Sequence, residues 1–179
     1  MVQHDYNKFY GFSDLSYNII SHLILNDEMI WKLIKFPTND AHTKADLTIA
    51  EKATLIYKGQ SDSTPFRVFT VPFVDDSFEE EQTQLRVFTH RVDPKSYVVA
   101  TVDFAIDIMC HNKIAILSTA KNRVDLMFEH VMGALNGRDI KSVGNLYFNA
   151  QQSPRNRCDL IYFNKYYQGF RIIMSTNIG

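Results

Sequence analysis

The strongest constraint in this sequence is a long alternation of residue types between residues 98 and 110. Apolar side chains occupy every second position from Val98 to Cys110, and Asp103 and Asp107 lie among the positions between them. Successive side chains of a β-strand point to opposite faces of a sheet, so this run predicts one long strand. We expect one face of the strand to pack in a core and the other to be partly exposed to water.

Size and composition predict a single soluble domain over residues 1–179, with a helical part over 1–60 and a sheet part over 61–179. A chain of this length buries roughly 70% of the surface that it exposes when unfolded, so it needs no disulfide or metal. The net charge of −1 argues against a protein that wraps DNA or RNA. Cys110 and Cys158 lie far apart and are predicted to be free thiols.

The sequence shows neither the pattern of a membrane span nor that of a signal peptide. No apolar run is long enough to span a membrane, and the first residues lack the basic and apolar regions of a signal peptide. We therefore expect no membrane contact and a location in the cytosol.

Two helices are predicted in the first part of the chain. Apolar spacing favours a continuous helix over residues 13–35, with Ser13 as its cap. A second helix should begin at Thr48, because Thr48 and Glu51 have the spacing of a capping box. We expect Gly59 to end that second helix in the left-handed conformation.

The later part of the chain alternates between strand and helix patterns. Residues 121–136 have the apolar stripe of a third helix, closed by an Asn-Gly pair. Further strands are predicted over residues 66–71, 85–91, 145–150, 158–163 and 169–176. This order of elements predicts an α+β fold with a largely antiparallel sheet flanked by helices.

Charge is distributed unevenly along the chain. Residues 1–81 hold 7 basic and 13 acidic side chains, whereas residues 141–179 hold 5 and 1. Five of the acidic side chains form a predicted exposed loop between two strands: Asp75, Asp76, Glu79, Glu80 and Glu81. The imbalance is typical of solvated faces, or of head-to-tail self-assembly in which the acidic region of one copy meets the basic region of the next.

Candidate catalytic residues are sparse. Asp103 and Asp107 share a strand face, but four residues of strand separate them by roughly 13 Å, too far to share one metal ion. Cys110 and His111 are neighbours that should point to opposite faces. The pattern therefore favours no catalytic residue, no metal and no cofactor; the alternative is a small metal-dependent phosphohydrolase or nuclease that uses Asp103, Asp107 and either His90 or His111.

An aromatic cluster lies near the end of the chain. It consists of Tyr162, Phe163, Tyr166, Tyr167 and Phe170. Interleaved with Lys165 and Arg171, such a cluster could stack single-stranded bases, or it could form core and protein interface. The near-zero net charge favours the interface.

Several segments together resemble the structural proteins of the tailed-bacteriophage neck. An Arg-led helix ends in Leu-Asn-Gly, a turn that contains glycine follows, and then a strand, as in residues 123–127, 134–137 and 143–148. The aromatic-x-Gly strand at residues 167–172 is similar to the closing strand of such proteins. Residues 25–34 and the Arg67 and Leu85 strands resemble the same group.

The resemblance implies a tail-terminator or head–tail joining protein, a class of α+β domains that form rings around the DNA channel, commonly with sixfold symmetry. It implies a virion protein assembled in the cytoplasm of the host bacterium, without enzymatic activity. Its partners would be further copies in a hexameric ring, neighbouring neck or tail proteins, and genomic DNA that passes without sequence-specific binding. The helical part over residues 13–59 is longer than a minimal tail terminator needs. A role as a head-closure protein or another connector ring therefore remains an alternative.

Within such a ring, the residues expected at interfaces or facing the channel are the five acidic side chains of the loop together with three basic ones. The basic residues are Arg155, Arg157 and Lys165.

The absence of metal-ligand spacing predicts that chelation leaves the protein unchanged. The melting temperature of the purified protein should be the same with and without EDTA, because no bound ion contributes to stability. A lower melting temperature in EDTA, restored by one divalent ion, would show that this prediction is wrong.

Overall fold

The sheet of this protein has a mixed pattern with one parallel pair. The computed structural model describes residues 11–72, 80–96, 98–151 and 153–179. It confirms the α+β class: a mostly antiparallel five-stranded sheet, a small two-stranded sheet, and several helices. Within these ranges no helix has the length and apolar character that a membrane crossing requires.

The elements follow one another in the order helices, strands, helix, strands. The α-helices are α1 (Leu15–Asn26), α2 (Met29–Lys35), α3 (Ile49–Thr54) and α4 (Arg123–Leu135). The strands are β1 (Val68–Phe69), β2 (Thr83–Pro94), β3 (Ala100–His111), β4 (Arg138–Ile140), β5 (Gly144–Leu146), β6 (Arg157–Tyr162) and β7 (Tyr167–Ile178). Short 3-10 turns occur at Phe12–Asp14, Ala41–Thr43 and Asn112–Ile114.

The five-stranded sheet has the order β1-β2-β3-β7-β6. β1 runs parallel to β2, and every other neighbouring pair is antiparallel. β7 approaches β3 closely at Gly169, where an added Cβ would lie 1.8 Å from the carbonyl oxygen of Ile108. A glycine in this strand therefore has a steric reason. β4 and β5 form the separate hairpin.

The long strand predicted from the alternation is present as β3, but its second face is buried and not partly exposed. All 12 residues of β3 are buried, including Asp103 and Asp107, whose relative exposure is 0%. The prediction of a partly exposed face was wrong, because the second face is covered by long side chains from neighbouring strands and from the loop before β6.

The helices lie on one face of the sheet. α1 and α2 pack on β2, while α4 packs on β3 and β7. The core between these layers includes Trp31, which is fully buried and donates its indole N–H to the carbonyl oxygen of Leu23 at 3.0 Å. A buried indole needs such a partner, so this bond fixes α2 against α1.

The predicted helix over residues 13–35 is two helices. The chain leaves the helical conformation at Asp27, where φ is −143° and ψ is 137°. The Asp27 carboxylate accepts a hydrogen bond from the backbone N–H of Ile30 at 2.8 Å, which stabilises the start of α2. Ser13 lies in a 3-10 turn, and the cap of α1 has no side-chain hydrogen bond, so the predicted Ser13 cap is wrong.

The second helix begins as predicted and ends earlier. Thr48 and Glu51 form the full capping box. α3 ends at Thr54, so Gly59 does not end it; Gly59 has a φ of +83° in the segment that follows. The strand predicted over residues 66–71 is reduced to the two residues of β1.

The later elements match their predictions more closely. α4 falls within the predicted range 121–136, and Asn122 begins it by accepting from the backbone N–H of Val124 at 2.8 Å. The strands over 85–91 and 169–176 are confirmed and extended, and the strand over 158–163 is confirmed with a shift of one residue, as Arg157–Tyr162. The strand expected over 145–150 ends as β5 at Leu146 and continues only as a single bridge from Tyr147 to Ser175.

Arg123, the first residue of α4, is a fully buried cation held by backbone carbonyl groups. Its guanidinium donates to Ile114 at 2.9 Å, to Leu33 at 2.8 Å, to Phe36 at 2.9 Å and to Thr38 at 2.5 Å. Burial lowers the pKa of this guanidinium. The carbonyls of Leu33 and Phe36 belong to the C-terminal end of α2, where a cation is favoured by the helix dipole. Arg123 therefore joins α2, α4 and the 3-10 turn that follows β3.

We predict that Arg123→Met destabilises the protein by about 3 kcal/mol or more. Methionine keeps the length of the stem, but two buried and two partly buried carbonyl groups lose their donors. Chemical denaturation measures the difference. The control is Lys121→Met, which replaces an exposed cation two residues earlier and should change stability by less than about 0.5 kcal/mol. Equal effects of the two variants would contradict the proposed importance of the carbonyl contacts.

Candidate functional site

The face of the sheet opposite the helices bears a row of alternating charges. Arg86 on β2, Asp107 on β3, Arg171 on β7 and Asp159 on β6 lie directly opposite one another across the four strands. We call these four residues the charged row. Opposite charges at facing positions of a sheet attract, so the row supports the strand register.

The centre of the charged row is buried and tightly bonded. Arg171 donates to both carboxylate oxygens of Asp107, Nε to Oδ1 at 2.7 Å and Nη2 to Oδ2 at 2.6 Å. This hydrogen bonding raises the pKa of Arg171. Arg86 donates to Gln84 at 3.0 Å and to the carbonyl oxygen of Pro72 at 2.6 Å, and burial lowers its pKa to about 10.

Aromatic rings support the two arginines of the charged row. The Arg86 guanidinium carbon lies 5.4 Å from the ring centre of Phe69, and that of Arg171 lies 5.7 Å from the ring centre of Phe88. Such cation–π contacts stabilise arginine where water is excluded.

A second ion cluster lies on the same face, nearer the start of β3. Arg155 donates to Asp103 at 2.5 Å and to Asp93 at 2.7 Å, so it bridges two carboxylates. Ser175 adds a hydrogen bond to Asp103 at 2.6 Å, and Arg91 donates to Asp93 at 2.8 Å. Hydrogen bonds from Arg91 and Arg155 lower the pKa of Asp93, and the bond to Asp103 raises the pKa of Arg155.

These contacts determine what the charged face can do chemically. Asp103 and Asp107 each bind their own arginine, and this occupies the oxygens that a metal ion or a reacting water would need. In the part of the chain that the structure describes, no group of three or more His, Cys, Asp or Glu side chains could hold a metal ion. The geometry gives the phosphohydrolase alternative no support.

The two histidines of that alternative lie apart from the carboxylate pairs. His90 is exposed at a register shift between Thr89 and Arg91, which leaves it out of the pairing with β3. His111 is buried at the end of β3; its Nδ1 accepts from the backbone N–H of Lys113 at 3.2 Å. His111 is thus bound as part of the packed end of the strand.

Neither cysteine is an activated nucleophile. Cys110 is buried on the helix side of β3, and burial raises the pKa of its thiol to about 11. Burial also raises the pKa of Cys158 to about 11. Both cysteines are free thiols, as predicted.

The acidic loop is only partly within the described residues. Asp75, Asp76 and Glu79 lie outside them. Glu80 and Glu81 are exposed; Glu80 pairs with Arg67 at 3.3 Å, and Glu81 pairs with Lys113.

The connection that contains the acidic loop is not a hairpin. β1 and β2 are parallel, whereas the two strands of a hairpin are antiparallel.

The basic residues singled out in the sequence are mostly bonded within the chain. Arg155 bridges two carboxylates, and Arg157 pairs with Asp159 at 2.7 Å on the same strand. Lys165 lies over the ring of Tyr166, 4.7 Å from its centre. Arg155, Arg157 and Arg171 account for three of the five basic side chains in residues 141–179, so less positive charge is available for contact with another copy.

The aromatic cluster divides between core and surface. Tyr167 is buried and donates its hydroxyl to the carbonyl oxygen of Glu80, while Phe170 packs on Phe128 of α4 with ring centres 5.6 Å apart. Tyr162 and Tyr166 remain exposed. The cluster therefore includes both packed and solvent-exposed rings.

A polar cleft lies between α1 and α4 and was not predicted from the sequence. Asn26, Asp27, Glu129, His130 and Gly133 line it, with a volume of about 410 Å³. The His130 Nδ1 lies 2.8 Å from the Asp27 carboxylate. The predicted continuous helix over residues 13–35 placed Asp27 inside a helix, so its contact with His130 was not predicted. The polar run Asn-Asp-Glu at residues 26–28 was the sequence signal for the break between α1 and α2.

We predict that Asp107→Asn destabilises the protein by about 3–5 kcal/mol, because Arg171 loses its buried counter-charge. The control is Asp159→Asn in the same charged row, where the side chain is half exposed and the cost should stay below about 1 kcal/mol. Urea unfolding of both variants provides the comparison. A cost for Asp107→Asn as small as that for Asp159→Asn would contradict the buried-pair interpretation.

Comparison with known proteins gives a match to a protein family. No curated protein and no solved structure matches this chain. The sequence model of the YomW family matches residues 27–176 of the 179, which includes every element from α2 to β6 and most of β7. Because this range covers most of the chain, the protein belongs to the phage-derived YomW family.

Proposed function

We propose that this protein is a structural component of a tailed-phage particle that forms a ring at the head–tail junction. Its copies would surround the DNA channel and contact neighbouring neck or tail proteins, without catalysing a reaction. The ring position and the hexameric copy number come from the resemblance of the sequence to neck proteins. Membership of a phage-derived family is the observation that carries the proposal.

The charged face supports a structural role. Asp103 and Asp107 are held by arginines inside the fold, which gives a rigid sheet instead of carboxylates available for chemistry. A subunit of a ring benefits from such rigidity, because its interfaces must keep their relative geometry. The exposed side chains Leu160, Tyr162 and Tyr166 offer apolar surface for contacts with other proteins.

The acidic loop fits a surface that DNA passes. Glu80 and Glu81 are exposed, and the sequence places three further carboxylates within the five residues before Glu80. Carboxylates that line a channel repel the phosphate backbone, so the duplex slides without being bound. In this proposal the loop faces the channel or the next ring.

Electron microscopy tests the proposal in two ways. Negatively stained purified protein should show rings with a central opening, and gold-labelled antibodies should mark the head–tail junction of phage particles. The matched control is an antibody against a tail-tip protein of the same phage, which should label the opposite end. Absence of the protein from purified particles would overturn the structural role, and labelling elsewhere in the particle would overturn the neck position.

A further inference from the structure

The two edges of the five-stranded sheet differ in how they are covered. At the β1 edge the preceding segment bonds to the strand: Val68 donates to Leu55 at 3.0 Å, and Tyr57 donates to Val68 at 2.9 Å. At the other edge, β6 pairs with β7 on its inner side. Among the residues that the structure describes, no backbone group pairs with the outer side of β6.

The hydrogen-bond pattern identifies the groups on that outer side. Phe163 donates to Tyr167 at 3.0 Å, which makes this facing pair a hydrogen-bonded one. Hydrogen-bonded pairs alternate along an antiparallel ladder, so the odd-numbered residues of β6 bond to β7. Cys158, Leu160 and Tyr162 therefore turn their backbone N–H and C=O groups outward.

The side chains of this edge lack the usual protection against pairing. Natural edges are protected by lysine, proline, bulges or a covering segment. On β6, Leu160 is 56% exposed and Tyr162 is 71% exposed, and both lie on the helix side. On the other side, Arg157 and Asp159 neutralise each other at 2.7 Å. The edge is apolar on one side and without net charge on the other.

We propose that β6 pairs antiparallel with β6 of a second copy of this chain, so that two five-stranded sheets become one continuous sheet. The partner is a second copy because the same three outward-facing residues supply both the donors and the acceptors that the pairing needs. A two-fold axis through the middle of β6 brings these groups into register with themselves.

The charges and the strand ends disfavour two registers of this pairing and favour a third. A two-fold axis at Asp159 would place two carboxylates directly opposite each other, which is unfavourable. An axis at Cys158 would place Tyr162 opposite Pro154, which has no N–H to donate. An axis at Leu160 pairs Leu160 with its own copy and Cys158 with Tyr162, so every outward N–H and C=O group is bonded.

The Leu160 register also covers the exposed apolar surface. Leu160 packs on Leu160 of the second copy, and each Tyr162 ring packs beside Cys158 and the neighbouring Leu160. The inference rests on the open edge and does not depend on the neck ring. A ring built from such pairs would contain an even number of copies.

Charge substitutions at Leu160 test the pairing. Sedimentation of the full chain at about 100 µM, a concentration at which small interfaces are populated, should show a dimer or a multiple of it. Leu160→Lys and Leu160→Glu should each weaken association by about tenfold or more, because like charges then face each other. An equimolar mixture of the two variants should restore it, because opposite charges face each other.

The control is Leu25→Lys, which places the same charge on a leucine of α1 that is 70% exposed. This variant should associate like the unsubstituted protein. Unchanged far-UV circular dichroism and melting temperature in all variants show that folding is intact. A monomer for the unsubstituted protein, or association that Leu160→Lys does not weaken, would overturn the proposal.

Disulfide formation tests the register. With Cys158→Ser as background, Leu160→Cys should form a disulfide-linked dimer under mild oxidation, because the two Cα atoms then lie within the range that a disulfide spans. Cys158 in the unsubstituted protein should not cross-link, because its two copies are separated by roughly 13 Å along the strands. A Cys158 dimer without a Leu160→Cys dimer would overturn the Leu160 register.

Discussion

Burial of β3 on both faces is the constraint on which the rest of the structure depends. The strand contributes Asp103 and Asp107 to an environment without water, so each carboxylate needs a cation inside the protein. Arg155 and Arg171 supply these cations from positions 52 and 64 residues further along the chain. The two aspartates of β3 therefore help to fix the positions of β6, β7 and the loop before β6, in addition to apolar packing.

Buried and partly buried cations are stabilised in two different ways in this fold. Arg171 faces a carboxylate, whereas Arg123 is surrounded by carbonyl oxygens, and Lys52 combines both by donating to the carbonyl of Ile24 at 2.8 Å and to Glu28. Each arrangement joins elements that are distant in sequence. An alternative packing would leave a charge buried without its partner, so these contacts favour one arrangement over its competitors.

The sequence predicted the features that depend on neighbouring residues. The long strand, the capping box at Thr48 and the extent of α4 follow from local spacing and local hydrogen bonds. The break at Asp27 was missed because the apolar spacing continues through it. The burial of Asp103 and Asp107 was also missed, because their arginines lie more than 50 residues away and no spacing rule joins such partners. The charged row was missed as well, because it depends on the register between strands whose facing residues are 12 to 64 positions apart in sequence.

The carbonyl groups around Arg123 impose an order of events while the protein is being made. Arg123 follows its acceptors Leu33, Phe36 and Thr38 by 85–90 residues. At a synthesis rate of about 5–20 residues per second, the ribosome needs roughly 4–18 s to extend the chain across that separation. During this interval α2 lacks the cation that its C-terminal carbonyls bind in the finished fold. The contacts that join the end of α2 to the start of α4 therefore form only late in translation.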